Sequence, residues 1–204
     1  MKDITTNFAK LFSYVFHPLL MPTLGIVLIF TSGTYLSYLP FEGIRLIFLL
    51  TFLGTFIIPL SFIPLYYYFS IIKNAEMETS DQRIIPLVIT FITYCCTFYL
   101  MRKIPIPFIN SFIMACCAVL LLNTIVIQKW KISSHLLGLG GLTGLVLALN
   151  IRLNADISLF FILLIFVTGL VATSRLKLNV HSPAQVYAGY FLGLFVVSFF
   201  LLVL

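Results

Sequence analysis

The segment SRLKLNVHSPAQ, residues 174–185, lies between two long apolar runs, 156–173 and 184–204. Each run approaches the roughly 20 residues that a helix needs to cross the hydrocarbon core of a bilayer. A charged residue at the centre of such a helix costs about 2.5–3.5 kcal/mol, so charges collect where helices end. The segment therefore predicts two membrane helices joined by a basic loop. Its Arg175, Lys177 and His181 predict an anionic ligand at that loop.

The whole chain has the composition of a membrane protein. Its 204 residues are 61% hydrophobic and only 9% charged, whereas a soluble domain has about 25% charged residues. The sequence predicts an all-α, polytopic transmembrane bundle of six to seven helices that forms a single integral membrane domain, residues 1–204. The predicted runs are 15–38, 43–69, 84–101, 107–128, 135–151, 156–173 and 184–204.

The first run is interrupted by prolines. The pairs His17-Pro18 and Met21-Pro22 fall early in it, and proline disrupts a helix interior. We therefore expect residues 4–16 to form an amphipathic helix at the membrane interface, with His17 as an interfacial anchor.

Successive spans cross the membrane in opposite directions, so the polar loops between them lie alternately on its two faces. Loops 70–83, 129–134 and 174–183 fall on one face, called here the His-bearing end because it gathers His135 and His181. With the N-terminal lysines it has eight basic residues against four on the other face, which would make it cytoplasmic by charge count. Leaving out Arg83, Arg175 and Lys177 as ligand-binding residues reduces this to five against four, so the count does not decide the orientation.

The loops of the His-bearing end contain the residue types that bind phosphate. Arg83 begins one predicted helix, His135 begins another after Ser133 and Ser134, and Arg175 and His181 flank the last loop. Guanidinium groups and helix N-termini are favourable partners for phosphate oxygens. Two histidines allow one imidazole to attack phosphorus and the other to protonate the leaving group. The alternative is that these side chains only contact lipid headgroups.

The segments around these residues resemble the motifs of the type 2 phosphatidic acid phosphatase superfamily. Ser174-Arg175-x5-His181-x3-Gln185 resembles the third motif, Ser-Arg-x5-His-x3-Asp, and Ile132-Ser133-Ser134-His135 resembles the second, Pro-Ser-Gly-His. Arg83 near Pro86 resembles the first, Lys-x6-Arg-Pro. The matched segments cover about a sixth of the chain, and the third motif is the most specific.

The resemblance implies a metal-independent and cofactor-free phosphatase acting on a lipid phosphate. It assigns His181 as the nucleophile, His135 as the acid for the leaving group and Gln185 to the position beside the nucleophile. It assigns phosphate binding to Arg83, Arg175, Ser133 and, as a substitute for the first-motif lysine, Lys73. The expected partners are the bilayer and a lipid phosphate such as a polyprenyl pyrophosphate or phosphatidylglycerol phosphate. Nucleic acid is excluded, and the oligomeric state stays open. The expected location is the bacterial inner membrane.

Several positions depart from the family pattern. Glu76 stands where the first motif has lysine, and Pro86 follows Arg83 by three residues instead of one. Gln185 replaces an aspartate that orients the nucleophilic imidazole and balances its charge. Gln185 can accept a hydrogen bond from the ring but supplies no charge. Exchange of the equivalent aspartate for an amide in a serine protease costs about 10⁴-fold in kcat. The second hypothesis is therefore a catalytically impaired relative that binds, transports or senses lipid phosphates, and the third is a purely structural membrane subunit.

Two glycine pairs predict how the site is held together. Gly140-x3-Gly144 follows His135, and Gly189-x3-Gly193 follows His181. Small residues at this spacing let membrane helices approach closely. Direct contact between these two helices would bring both histidines to one end of the bundle.

Overall fold

The computed structural model describes residues 2–72, 79 and 81–204. Lys73 and Glu76, which the sequence analysis considered for the site, lie outside the described residues. The protein is 82% helical and has no strand in the part of the chain that is described. Within these residues, seven helical stretches are long and apolar enough to cross a membrane: Thr6–Thr31, Phe41–Tyr68, Asp81–Met101, Pro107–Val126, Ser134–Leu153, Ser158–Lys177 and Pro183–Val203. The predicted helical membrane bundle is confirmed.

Ten α-helices build these spans in the described part of the chain. In chain order they are α1 Lys2–Val15, α2 Met21–Thr31, α3 Phe41–Phe52, α4 Ile58–Ser61, α5 Ile63–Tyr68, α6 Asp81–Met101, α7 Pro107–Val126, α8 Ser134–Leu153, α9 Ser158–Lys177 and α10 Pro183–Val203. A π-helical turn, Leu53–Ile57, connects α3 to α4, so that α3, α4 and α5 form one continuous, irregular span.

The predicted bounds of the first span, 15–38, are wrong. The helical stretch ends at Thr31, and the chain then forms a 3₁₀ turn over Tyr35–Tyr38. His17 has an extended backbone that separates α1 from α2, as expected of a residue before proline. Helix α1 packs against α9, with Ala9 and Ser13 buried. The N-terminal helix is therefore part of the bundle and reaches the functional residues.

Helix α8 is the centre of the bundle. About 67% of its membrane window is buried, against at most 39% for any other span. Its sequence explains this position, because it is apolar on all sides and rich in glycine. Gly140 faces the backbone of Tyr190 on α10, and Gly193 faces the backbone of Leu137 on α8. The predicted contact between the two glycine-bearing helices is confirmed.

This close contact continues to the His-bearing end. Gly189 faces the carbonyl of Ser133, and the Ser133 amide donates a hydrogen bond to the Gln185 carbonyl at 3.1 Å. A side chain at any of these glycines would collide with backbone atoms. The start of α8 and the start of α10 are therefore fixed side by side, and the loops before them lie at one end of the bundle.

Candidate functional site

Arg175 lies in the last turn of α9 and not in a loop, as the sequence analysis had placed it. Helix α9 ends at Lys177, four residues beyond the predicted end. Basic residues in the last turn stabilise this extension, because they interact favourably with the negative end of the helix dipole. The side chain is only 9% exposed, and its Nη1 donates to Ser13 Oγ on α1 at 3.3 Å. Arg175 is also the common electrostatic neighbour of His17, Arg83, His135 and His181. It is the central residue of the candidate site.

Arg83 lies in the first turn of α6, as predicted, and is also only 9% exposed. Its guanidinium is close enough to that of Arg175 for the two charges to repel each other. An anion placed against both groups would relieve this repulsion. The pair is therefore suited to phosphate, whose oxygens accept several charge-assisted hydrogen bonds at once.

His135 is the second residue of α8 and contacts the N-terminal helix. Its Nε2 lies 3.1 Å from the backbone carbonyl oxygen of Ser13. Because a carbonyl only accepts hydrogen bonds, Nε2 carries a proton in this contact. The contact fixes the orientation of the ring and leaves Nδ1 as the nitrogen that can exchange a proton with a ligand.

His181 lies in the loop between α9 and α10 and is 6% exposed. Neither of its ring nitrogens has a hydrogen-bond partner among the described residues. Burial, and after it the charges of Arg83, Arg175 and Lys131, lower the pKa of His181 to about 4. The nearby Gln185 side chain acts in the opposite direction and raises the pKa of His181. It does so without a hydrogen bond of proper geometry to either ring nitrogen. His181 is thus neutral at pH 7 and retains a free lone pair.

Gln185 uses its side chain to cap its own helix. Its side-chain Oε1 accepts a hydrogen bond from the backbone N–H of Ser182 at 2.9 Å, and the backbone N–H of Gln185 donates to Ser182 Oγ at 3.4 Å. This reciprocal arrangement is a capping box, which satisfies two backbone donors at the start of α10. The Gln185 side chain is thereby directed at the Ser182 amide, and neither ring nitrogen of His181 forms a hydrogen bond to it.

Ser133 stands at the N-cap position of α8, as the sequence suggested, but its hydroxyl makes no capping bond. It is fully buried, and its Oγ has no hydrogen-bond partner within the described part of the chain. A buried hydroxyl without a partner costs free energy, so Ser133 does not stabilise the start of α8 through its side chain.

The N-terminal segment contributes two residues that were not predicted for the site, Ser13 and His17. The His17 ring lies edge-on to that of His135, with 6.1 Å between the ring centroids, and its Nδ1 accepts the Leu19 amide at 3.3 Å. Ala9, Ser13 and His17 recur every four residues, so they share one face of the helix and its extension. That spacing was the available signal for a face directed at the bundle.

A cavity of about 340 Å³ opens among these side chains. Its polar lining includes Lys10, Ser13, His17, Tyr66, Arg83, Thr90, Ser134, His135 and Arg175, and the remaining lining is mostly apolar. Of the predicted site residues, Arg83, His135 and Arg175 line the cavity, whereas Ser133, His181 and Gln185 do not. The two arginines connect the cavity to His181, because both lie close enough to act on its charge.

No family model, curated protein or solved structure matches this chain. The interpretation of the site therefore depends on its own residues and their geometry.

Proposed function

We propose that this protein is a phosphatase of the membrane that hydrolyses a lipid phosphomonoester or pyrophosphate through a phosphohistidine at His181. The observation that carries the proposal is the burial of Arg83, Arg175 and His181 in one cluster beside a cavity, at the end of a membrane bundle. Buried charges are rare in membrane proteins and commonly mark functional sites. As part of the same proposal, the protein belongs to the bacterial inner membrane.

The chemistry needs a neutral nucleophile, and the lowered pKa of His181 supports one. A ring nitrogen of His181 attacks phosphorus while the bond from phosphorus to the lipid oxygen breaks. The phosphate monoanion supplies the proton: Nδ1 of neutral His135 takes it and passes it to the leaving oxygen, and the lipid alcohol departs. Water then attacks the phosphohistidine, His135 takes a proton from it, and inorganic phosphate leaves. Arg83 and Arg175 would stabilise the negative charge of both transition states.

The direct test is phosphate release from lipid phosphates by the detergent-solubilised protein. His181→Ala removes the nucleophile, so we expect a loss of at least about 10³-fold in kcat. Asn179→Gly in the same loop is the matched control, because Asn179 is exposed and has a positive φ of 53° that glycine adopts freely. Equal rates for the wild type and His181→Ala would overturn the proposal.

A second candidate function is lipid-phosphate binding without turnover, for transport or sensing. It is favoured by Gln185, whose side chain caps α10 and does not orient the His181 ring. Gln185→Asp separates the two functions. If the site is otherwise competent for hydrolysis, a carboxylate beside His181 raises kcat by 10-fold or more, as expected for a restored orienting acid. Retained lipid-phosphate affinity with no phosphate release in either form would favour the second function.

A further inference from the structure

A second, narrower cavity adjoins the first. It has a volume of about 100 Å³ and lies between α2, α6, α7 and α8. The two cavities share five lining residues: Pro18, Leu19, Leu87, Thr90 and Ser134. The narrow cavity extends along α7 from Asn123 to Phe112, which is about 16 Å at the helical rise per residue. It therefore leads from the arginine cluster towards the middle of the membrane, and its lining is almost entirely apolar.

Asn123 is one of the few polar residues in this apolar lining, together with Thr90, Tyr94 and Ser134. Its side chain is fully buried, and its Nδ2 donates to Ser134 Oγ at 3.3 Å. Its Oδ1 has no hydrogen-bond partner among the described residues. A buried acceptor left without a donor is costly, and it costs more at membrane depth, where water does not satisfy it. Asn123 lies where the two cavities meet, because its hydrogen-bond partner Ser134 lines both.

From this geometry we infer that the site takes a single-chain lipid phosphate with a free hydroxyl group next to its phosphate. The inference rests on the proposed function, whose substrate class it narrows. The phosphate contacts Arg83 and Arg175, the hydroxyl donates to Asn123 Oδ1, and the hydrocarbon chain fills the narrow cavity. At about 100 Å³ the narrow cavity has room for part of one hydrocarbon chain and none for a second chain beside it. Polyprenyl phosphates lack the hydroxyl, so they would leave Asn123 without a donor.

The test compares two lipids and two variants in one cycle. The lipids are 1-acylglycerol-3-phosphate, which has a free hydroxyl, and its 2-deoxy analogue, which lacks only that group. We expect the wild type to bind the hydroxyl-bearing lipid about 10-fold more tightly, as for one hydrogen bond to a buried acceptor. In Asn123→Leu, which has a similar volume and no acceptor, the ratio of the two Kd values falls to about 1. Asn150→Leu, on an exposed position of α8, is the matched control and keeps the wild-type ratio.

The outcomes separate this inference from the proposed function. Equal Kd values of the wild type for the two lipids overturn the inference. This outcome needs no variant, so it holds even if Asn123→Leu does not fold. A 10-fold ratio that persists in Asn123→Leu also overturns it, because the hydroxyl then contacts another residue. A 10-fold ratio that disappears in Asn123→Leu supports it. If neither lipid releases phosphate but the ratio of the two Kd values is as expected, the proposed hydrolysis is wrong and the inference about binding stands.

Discussion

The two ends of the bundle use arginine in opposite ways. At the end away from the histidines, Arg102 is exposed with its guanidinium 4.2 Å from the centroid of the Tyr99 ring. Arg152 is exposed as well, and its Nη1 donates to the Leu201 carbonyl at 2.7 Å, near the end of α10. At the His-bearing end, Arg83 and Arg175 are only 9% exposed and line a cavity.

The difference separates arginines that stabilise their own surroundings from arginines that are candidates for binding a ligand. An exposed arginine that stacks on an aromatic ring or caps a helix stabilises its own surroundings and stays hydrated. Two buried arginines that repel each other gain most from a bound anion. Position at a helix end is therefore a weak guide to function, whereas burial beside a cavity is a strong one.

The largest effect expected from this comparison is on lipid-phosphate affinity. Arg175→Gln removes one charge-assisted contact worth about 2–3 kcal/mol, so Kd rises roughly 30- to 160-fold. Arg152→Gln makes the same exchange at the opposite end and is expected to leave Kd within about 2-fold. Titration of each variant with a lipid phosphate in detergent measures both. Equal losses of affinity in the two variants would show that the ends do not differ in function.

A smaller effect is expected from pH, through His181. Its folded pKa of about 4 lies below the ordinary 6.5, so the unfolded chain takes up a proton between these values while the folded protein does not. The stability that the neutral ring contributes is complete above pH 6.5 and is lost as the pH falls towards 4. Between pH 7 and pH 4.5 we expect the wild type to lose about 2 kcal/mol more than His181→Gln.

Thermal unfolding in detergent at the two pH values checks this prediction. The variant serves as the reference, since it retains every other titrating group. Parallel pH dependence of the two proteins would mean that His181 is not buried in its neutral form.

The smallest effect concerns the contact that holds the site loops together. Gly189→Ala places a methyl group about 2.6 Å from the Ser133 carbonyl oxygen, so α8 and α10 must separate at the His-bearing end. Overpacking of this kind costs about 1–2 kcal/mol. Gly169→Ala on α9 is the control, because a methyl group there meets no atom within 4 Å. Thermal unfolding of the two variants should differ by this amount, and equal stability would argue against close contact near Ser133.

Much of the fold was predictable because apolar runs long enough for a bilayer leave few alternatives. Six of the seven predicted spans agree with the structure to within four residues at each end. The contact between α8 and α10 was predictable from the glycine spacing. The bounds and packing of the first span were not predictable. Its prolines indicated an early break, but they gave no information on which helices α1 would contact.

The candidate site was predictable only in part. Arg83, Arg175, His135 and His181 stood out because charge and imidazole are expensive in an apolar chain. Ser13 and Asn123 did not, since a single hydroxyl or amide near a helix end has a ready partner in water or a headgroup. Only tertiary contacts show that Ser13 orients His135 and that Asn123 keeps an unused acceptor.

The central claim is that the buried arginines of the His-bearing end bind the phosphate of a lipid. The most direct measurement is the affinity of the detergent-solubilised wild type for a lipid phosphate and for the same lipid as its free alcohol. The two buried guanidinium groups predict that the phosphate form binds at least about 100-fold more tightly. Equal affinity for the phosphate and the alcohol would contradict the claim.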